Sequence, residues 1–342
     1  MQENCFFTIG IPVYNAEKYI STCLDSVLNQ SFIEFEVLCV NDGSTDRSSE
    51  IIEDYSRRDK RVKCINKDNG GPSSARNVVV ENAQGRYIYF FDSDDIMTGN
   101  ALEKAYLALS ENEFPDILQL GLIRQNGEKT EEVFTNFDEE KYSGLYKNGD
   151  ERTVAVWTYA KFLAHVATRF VKTDLYKRES IRFPEHLFVG EDRYVAYELY
   201  RKADRIVYER FSASVHFMNR EGSIITQASF RTVNDMIGSW VEFYEAIEKW
   251  DLSDEFRKHV EKHRTAFFIR TRRNIIEICL SKRTDEDVYK IVSAVWPKVE
   301  NGIKTLDISG GNIIYRFLFY ILKTKGIKTT VKVARIAAKI KR

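Results

Sequence analysis

Between residues 6 and 91 the hydrophobic period switches back and forth four times, and few folds accommodate that. Apolar runs at residues 6–13, 35–40, 62–65 and 86–91 read as strands. Each of the first three is followed by a loop and a stretch of helical spacing. In the first of these, residues 17–28, Tyr19, Ile20, Cys23, Leu24, Val27 and Leu28 fall on one face. Gly43 permits a sharp turn after the second strand, and Ser44, Thr45 or Asp46 can cap a helix reaching about Tyr55. Residues 69–74 (Asn-Gly-Gly-Pro-Ser-Ser) open a third helix, through about Asn82. Alternation at this density predicts a right-handed, doubly wound α/β domain.

The fourth run, Arg86-Tyr87-Ile88-Tyr89-Phe90-Phe91, passes straight into Asp92-Ser93-Asp94-Asp95. A short, continuously apolar strand suits the interior of a parallel sheet, and ligands of such sheets sit at the carboxyl ends of the strands. Three carboxylates within four positions repel one another unless a cation offsets them. Hard divalent ions such as Mg2+ or Mn2+ take oxygen ligands and bridge phosphate oxygens, so a nucleotide diphosphate with a metal is the guest this cluster suits. No GxGxxG follows the first strand and no GxxxxGK[ST] occurs, which removes the dinucleotide fold and the nucleotide-triphosphatase loop.

Composition narrows the rest. The chain has 342 residues with 51 Lys+Arg and 51 Asp+Glu, a balance that argues against a nucleic-acid binder. The charge is uneven, though. Residues 303–342 hold ten Lys/Arg and one acid, Asp307, a local +9. The five cysteines form no CxxC pair and lie mostly in apolar runs, which predicts buried free thiols in a reducing cytosol. No secretory signal pattern and no uninterrupted apolar run of bilayer length is present, so the expectation is a soluble or peripheral cytoplasmic protein.

Taken in order, several segments resemble the family 2 glycosyltransferases of GT-A fold. They are Ile11-Pro12-Val13-Tyr14-Asn15-Ala16-Glu17, Leu24-Asp25-Ser26-Val27-Leu28-Asn29-Gln30, Val40-Asn41-Asp42-Gly43-Ser44-Thr45-Asp46, Asn69 to Asn77, and Asp92-Ser93-Asp94-Asp95. The resemblance covers residues 6–225 and implies a non-processive enzyme of bacterial surface-polysaccharide type. It implies that Pro12, Tyr14 and Glu17 line the nucleotide pocket and that Asp42 holds the base, commonly uracil; a carboxylate suits an imide N–H. Arg76 would face the phosphates or brace the acidic cluster. Asp92 would meet the ribose or the sugar, with Ser93 counted among the donor-binding residues. Asp94 or Asp95 would bind Mn2+ or Mg2+, directly or through water, with His216 a further ligand. Glu191-Asp192 resembles the family's acidic pair at a helix start, with Asp192 the base for an acceptor hydroxyl and Glu191 its fallback. Arg220, in a polar loop, suits the departing diphosphate. Where the family often reads Trp-Asn-Lys-Leu-Tyr, this chain has Ala167-Thr168-Arg169-Phe170, so acceptor choice is not transferable.

The implied organisation is a GT-A domain over residues 1–228 (nucleotide-sugar half 1–98, acceptor half 99–228), a helical region at 229–302 and a basic amphipathic tail at 303–342. Such a tail suits an anionic membrane surface, a docked helix or a partner-binding helix. The implied reaction is inverting transfer from a UDP-sugar to a hydroxyl of a lipid-linked glycan. A processive synthase would need membrane spans and Gln-x-x-Arg-Trp, and a nucleotidyltransferase a Gly-rich N-terminal loop; the chain has neither. An inactive sugar-nucleotide-binding scaffold of the same fold is the alternative, and it predicts binding without turnover.

Overall fold

A computed structural model describes residues 5–135, 147–159, 164–187, 189–218, 230–280, 284–304 and 313–340. The chain divides into two compact units, Met1–Thr226 and Gln227–Arg342.

The first unit is built on one mixed sheet. Strands β1 (Phe7–Val13), β2 (Phe35–Asp42), β3 (Val62–Lys67) and β4 (Tyr87–Phe90) run parallel in the order β3-β2-β1-β4, with helices α1 (Ile20–Leu28), α2 (Ser48–Arg58) and α3 (Pro72–Asn82) as crossovers. This is the predicted doubly wound half, and all four of its strands were expected from their apolar runs. Every residue of β2 is buried, as a strand covered on both faces must be. The helix expected from residue 17 begins only at Ile20, because residues 14–19 are held in a loop described below.

Beyond β4 the sheet turns mixed. After the short β5 (Ile96–Met97) and helix α4 (Ala101–Glu111) come β6 (Ile117–Asn126), β7 (Lys129–Val133), helix α5 (Gly149–Tyr159) and β8 (Arg169–Lys172). Helices α6 (Thr173–Arg178) and α7 (Glu191–Lys202) then lead to β9 (Ile206–Phe217). The order continues β4-β8-β6-β9-β5, with β7 paired to β6 through the turn at Gly127. Only the last four residues of β9 read as a strand in sequence. Its first half carries Glu209 and Arg210 and is partly exposed, so no apolar run marks it. The main core joins β1, β2 and β4 to α1 and α4, and Phe170 of β8 stacks on Tyr89 at 4.4 Å. Buried aromatic and aliphatic side chains of this kind stabilise by roughly 1.5–3 kcal/mol each.

The second unit is helical: α8 (Phe230–Ile247), α9 (Asp254–Leu280), α10 (Asp285–Lys304) and α11 (Ile313–Ile340). The last is interrupted at Gly326, whose φ of 76° no helix contains. Leu318, Leu322, Val331 and Ala334 are buried in a core with Ile275, Val292 and Val299, while Lys325, Lys328 and Lys332 are exposed. The apolar stripe that the sequence offered to a membrane is therefore used for packing inside this unit. Among the described residues, no helix is long and apolar enough to cross a bilayer.

Candidate active site

The parallel strands deliver their polar ends to one edge of the sheet. After β1, residues 14–17 are fastened to the loop after β2. Asn15, at φ 50°, accepts the N–H of Thr45 at 2.8 Å, and Ser44 Oγ accepts the N–H of Asn15. Asp46 accepts the N–H of Glu17 at 3.0 Å, and Glu17 in turn accepts the N–H of Arg47 at 3.1 Å. Glu17 thus braces two loops, and Tyr14 stands out of them, 55% exposed, beside the half-buried Pro12. The turn at Gly43 needs its φ of +70°, and an added Cβ would also meet the backbone nitrogen of Asn69 at 2.8 Å.

Asp42, the last residue of β2, is buried, and both its oxygens are engaged. Oδ1 accepts from Lys67 Nζ at 2.6 Å and from the Gly70 N–H at 2.9 Å; Oδ2 accepts from the Gly71 N–H at 2.7 Å. Asp42 therefore ties the Gly-rich loop to the sheet, with Lys67 as its counter-ion. Two carboxylate oxygens offer about four lone-pair sites, so a fourth donor can still be accepted. Lys67 is a neighbour that the motif reading did not single out.

Helix α3 reaches across to the acceptor side. Asn77 exchanges two hydrogen bonds with the backbone of Phe183, at 2.9 and 2.8 Å, and Ser73 Oγ donates to the carbonyl of Leu187. Arg76, one turn from the helix start, is buried over the Phe183 ring. Its Nη1 donates to Glu191 Oε1 at 2.7 Å and its Nη2 to Asp92 Oδ1 at 3.4 Å. Of the two roles open to Arg76 in sequence, the observed contacts are those of a brace on the acids. Glu191 lies in the first turn of α7, after Gly190 in the left-handed region (φ 93°), with the half-buried Asp192 next to it. Burial raises the Glu191 carboxyl above its ordinary range, against the pull of Arg76 and with the help of Asp192.

The fourth strand carries Asp92, Ser93 and Asp94, all half-buried, and Asp95, whose side chain is fully enclosed. The antiparallel register Ile96↔Val215 brings Asp95 and His216 side by side, and His216 Nδ1 lies 3.2 Å from each Asp95 oxygen. Burial pushes the Asp95 carboxyl up to about 7, with the charges of Asp92 and Asp94 adding to it and His216 opposing. Burial works against the His216 imidazolium, but the facing carboxylates prevail and raise its pKa, so Asp95 and His216 hold a proton between them. Asp92 is the reverse case. Burial opposes its ionisation, and the Arg76 guanidinium with His216 overcomes it.

His165 was not expected here. It precedes the 3-10 turn Val166–Thr168, and its Nε2 comes within 3.5 Å of Asp92 Oδ2. Burial drives its pKa down to about 4, so at neutral pH it is uncharged and Arg76 is the permanent cation beside Asp92. Among the described residues, Asp92, His165 and His216 are the group whose potential ligand atoms lie within 4.8 Å of one another. The sequence pointed to Asp94, Asp95 and His216; the geometry also brings Asp92 near His216, and Asp95 stands behind His216. Arg220 lies outside the described residues.

Residues 8–176 match the model of glycosyl transferase family 2. Over 199 residues the chain is 32% identical to an uncharacterized glycosyltransferase, EpsJ, of Bacillus subtilis, covering 58% of this chain and 57% of that protein. Over 288 residues it is 31% identical to the poly(ribitol-phosphate) beta-glucosyltransferase of Bacillus spizizenii, 82% of this chain but 42% of the relative. The chain thus spans well under two thirds of either relative. Among solved structures, TarS 1-349 of S. aureus in complex with UDP-GlcNAc superposes with a TM-score of 0.69 at 24% identity, over 98% of this chain and 92% of that one. That likeness establishes the GT-A fold.

Proposed function

The chain belongs to glycosyl transferase family 2 through residues 8–176, and from that premise we propose that it is an inverting glycosyltransferase moving a sugar from a UDP-sugar to a hydroxyl of a lipid-linked glycan. The observation that carries the reading is the Arg76 bridge. One buried guanidinium joins Asp92, at the end of the strand where a donor would lie, to Glu191, beside the acid that would face an acceptor. Mere folding has no use for such a link between two acidic centres, since replacing a buried ion pair by apolar side chains is often neutral or stabilising.

In this reading Pro12 and Tyr14 flank the base, Asp42 accepts its imide N–H, and Glu17 holds the loop that presents them. Lys67 keeps Asp42 oriented. Asp92 and Ser93 meet the ribose or the sugar. Asp192 takes the proton of the acceptor hydroxyl as that oxygen attacks the anomeric carbon and the bond to the diphosphate breaks. Glu191, tied up with Arg76, serves to hold α7 and its Asp192 in place. Arg220 would meet the departing phosphates.

Five acids, Asp92, Asp94, Asp95, Glu191 and Asp192, gather here against Arg76 and two histidines, and that surplus of carboxylate fits a divalent cation. Asp92 and His216, with Asp94 adjacent, are the residues that would hold it. An imidazole among the donors favours Mn2+ over Mg2+, which prefers oxygen alone. When bound, such an ion supplies neutralisation of the charge on the leaving diphosphate. The related poly(ribitol-phosphate) transferase and the UDP-GlcNAc complex support a UDP-sugar donor and a polymer acceptor for surface-polysaccharide synthesis. The membrane contact of the tail narrows to electrostatic attraction between Lys325, Lys328 and Lys332 and anionic lipid on the cytoplasmic face.

Calorimetric titration of UDP, GDP and CDP, each with and without Mn2+, tests the donor site. Metal-dependent binding of UDP followed by turnover of a UDP-sugar is expected. Binding without turnover of any donor on any glycan would favour the inactive scaffold.

A further inference from the structure

Asp42 and Lys67 are the last residues of neighbouring strands, and the parallel register Asp42↔Lys67 sets them side by side on one face of the sheet. An ammonium carries three N–H donors and no acceptor. Lys67 gives one to Asp42 Oδ1, at 2.6 Å, and one to the carbonyl of Asp68. Among the described residues the third meets no acceptor, and the Lys67 side chain keeps 20% of its surface open against 4% for Asp42. Gly70 makes room for this ammonium. A Cβ at that position would meet Lys67 Nζ at 2.9 Å and Ser74 Oγ at 2.8 Å, although φ at Gly70 lies outside the left-handed region. The missing side chain there serves the lysine rather than a turn.

The order of the sheet gives the open N–H a direction. Under the UDP-sugar reading above, ribose or sugar meets Asp92 after β4 and the base meets Asp42 at the end of β2. The nucleotide then runs across the strand ends from β4 over β1 to β2, and the next strand in that direction is β3, which ends in Lys67. In uracil, two carbonyls flank the imide N3–H. O2 sits beside the bond to ribose, whereas O4 sits at the far end of the ring. With N3–H on Asp42, O4 is the atom carried on toward β3.

We infer that Lys67 reads the base: its third N–H donates to uracil O4 while Asp42 accepts N3–H, and the pair selects uracil over cytosine. The inference rests on the UDP-sugar reading and assigns a specificity residue within it. Asp42 and Lys67 present an acceptor beside a donor, and uracil presents a donor beside an acceptor. Cytosine in the same pose turns the N3 lone pair to the carboxylate and its amino group to the ammonium, so both contacts fail. A site built to bond a given polar group rejects the analogue lacking it, because its own groups are left unpaired.

The test is calorimetric titration of UDP, 4-thio-UDP and CDP into the full chain with Mn2+ present. Sulfur at position 4 is a poorer acceptor than oxygen, and N3–H is retained. The wild type is expected to prefer UDP over 4-thio-UDP at least about fivefold, as befits a bond from a charged donor. Lys67→Met should bring that preference within about twofold of unity and shrink the preference for UDP over CDP at least about fivefold. Lys67→Gln, whose neutral amide can still donate to Asp42, should lose the 4-thio preference too, and it serves if the Met variant does not fold. A lysine that only orients Asp42 would, on removal, weaken UDP and 4-thio-UDP by the same factor. That outcome overturns the inference, as does a wild type that binds UDP and 4-thio-UDP alike; both leave the UDP-sugar reading standing. A wild type that binds no UDP overturns that reading and the role of Lys67 with it.

Discussion

Replacing Arg76 by Met should destabilise the protein by an amount that depends on pH in a calculable way. Arg76 and Glu191 are only 6% and 8% exposed, so removing the guanidinium leaves a buried carboxylate facing Asp192 without its partner. Such half-broken pairs cost about 3–5 kcal/mol. Glu191 can limit the loss by taking up a proton. The cost of protonating it from the ordinary 4.5, at about 1.4 kcal/mol per pH unit, sets a ceiling near 5 kcal/mol at pH 8 and about 1.4 kcal/mol at pH 5.5. The sign follows from linkage. Glu191 already has a raised folded-state pKa, and losing Arg76 raises it further. The folded variant therefore binds a proton that the unfolded chain lacks, and its stability falls as pH rises. The wild type shares part of this dependence, so the difference between variant and wild type should widen from pH 5.5 to 8.0 by at most about 3 kcal/mol. Urea unfolding, read by hydrogen exchange in the β1 and β4 peptides, isolates the unit that contains the pair. The double variant Arg76→Met with Glu191→Gln should lose the pH dependence and regain much of the stability. A destabilisation equal at both pH values would refute the reasoning, because it would mean that Glu191 finds solvent or another cation.

Other outcomes follow from the same geometry. Asp192→Asn is expected to abolish sugar transfer, at least about a hundredfold for loss of a general base, with UDP binding unchanged by calorimetry; lost binding would mean the base lies elsewhere. Lys67→Met should weaken UDP binding roughly tenfold by freeing Asp42 from its counter-ion, and an unchanged Kd would remove Asp42 from the base site. Gly43→Ala forces an L-residue to φ +70° and should cost about 1–3 kcal/mol, seen as a lowered Tm; a Tm within a degree of wild type would contradict the turn as described. Reversing Lys325, Lys328 and Lys332 to Glu should release the protein from anionic vesicles in low salt without changing its helicity. Persistent binding would remove those lysines as the contact.

How far the sequence could be read depended on which forces hold each part. β1, β2 and β4 are buried on both faces, so burial wrote them as apolar runs, and their polar ends marked the site edge. Asp42, Arg76, Asp92, Glu191 and Asp192 were all recognisable in place. Two thirds of β9 was missed because partly exposed strands tolerate Glu209 and Arg210. His165 was missed for another reason: nothing local distinguishes it. Its role comes from the 3-10 turn that supplies the Ala167 N–H and from Asp92, 73 residues earlier in the chain. The pairing of Asp95 with His216 likewise depends on strand register, which no local pattern encodes. A longer-range signal was available in the departure at Ala167-Thr168-Arg169-Phe170, which marked this stretch as particular to the chain.

The place of β9 between β6 and β5 has a consequence for how the protein comes to exist on the ribosome. β5 is made early but finds its partner strand, among the described residues, about 120 residues later, when Ser214 and Val215 emerge. Until then β6 has an open flank, Ile117–Asn126, whose first six residues, apolar or Gly except for Gln119, are all buried in the finished sheet. A nascent or proteolysed chain ending before Ile206 would carry that flank exposed, ready to pair with another copy. The acidic centre would be incomplete in the same fragment, with Asp95 lacking His216. Late insertion of one strand thus completes the sheet and the chemistry together, and shortened chains should be both inert and prone to aggregate.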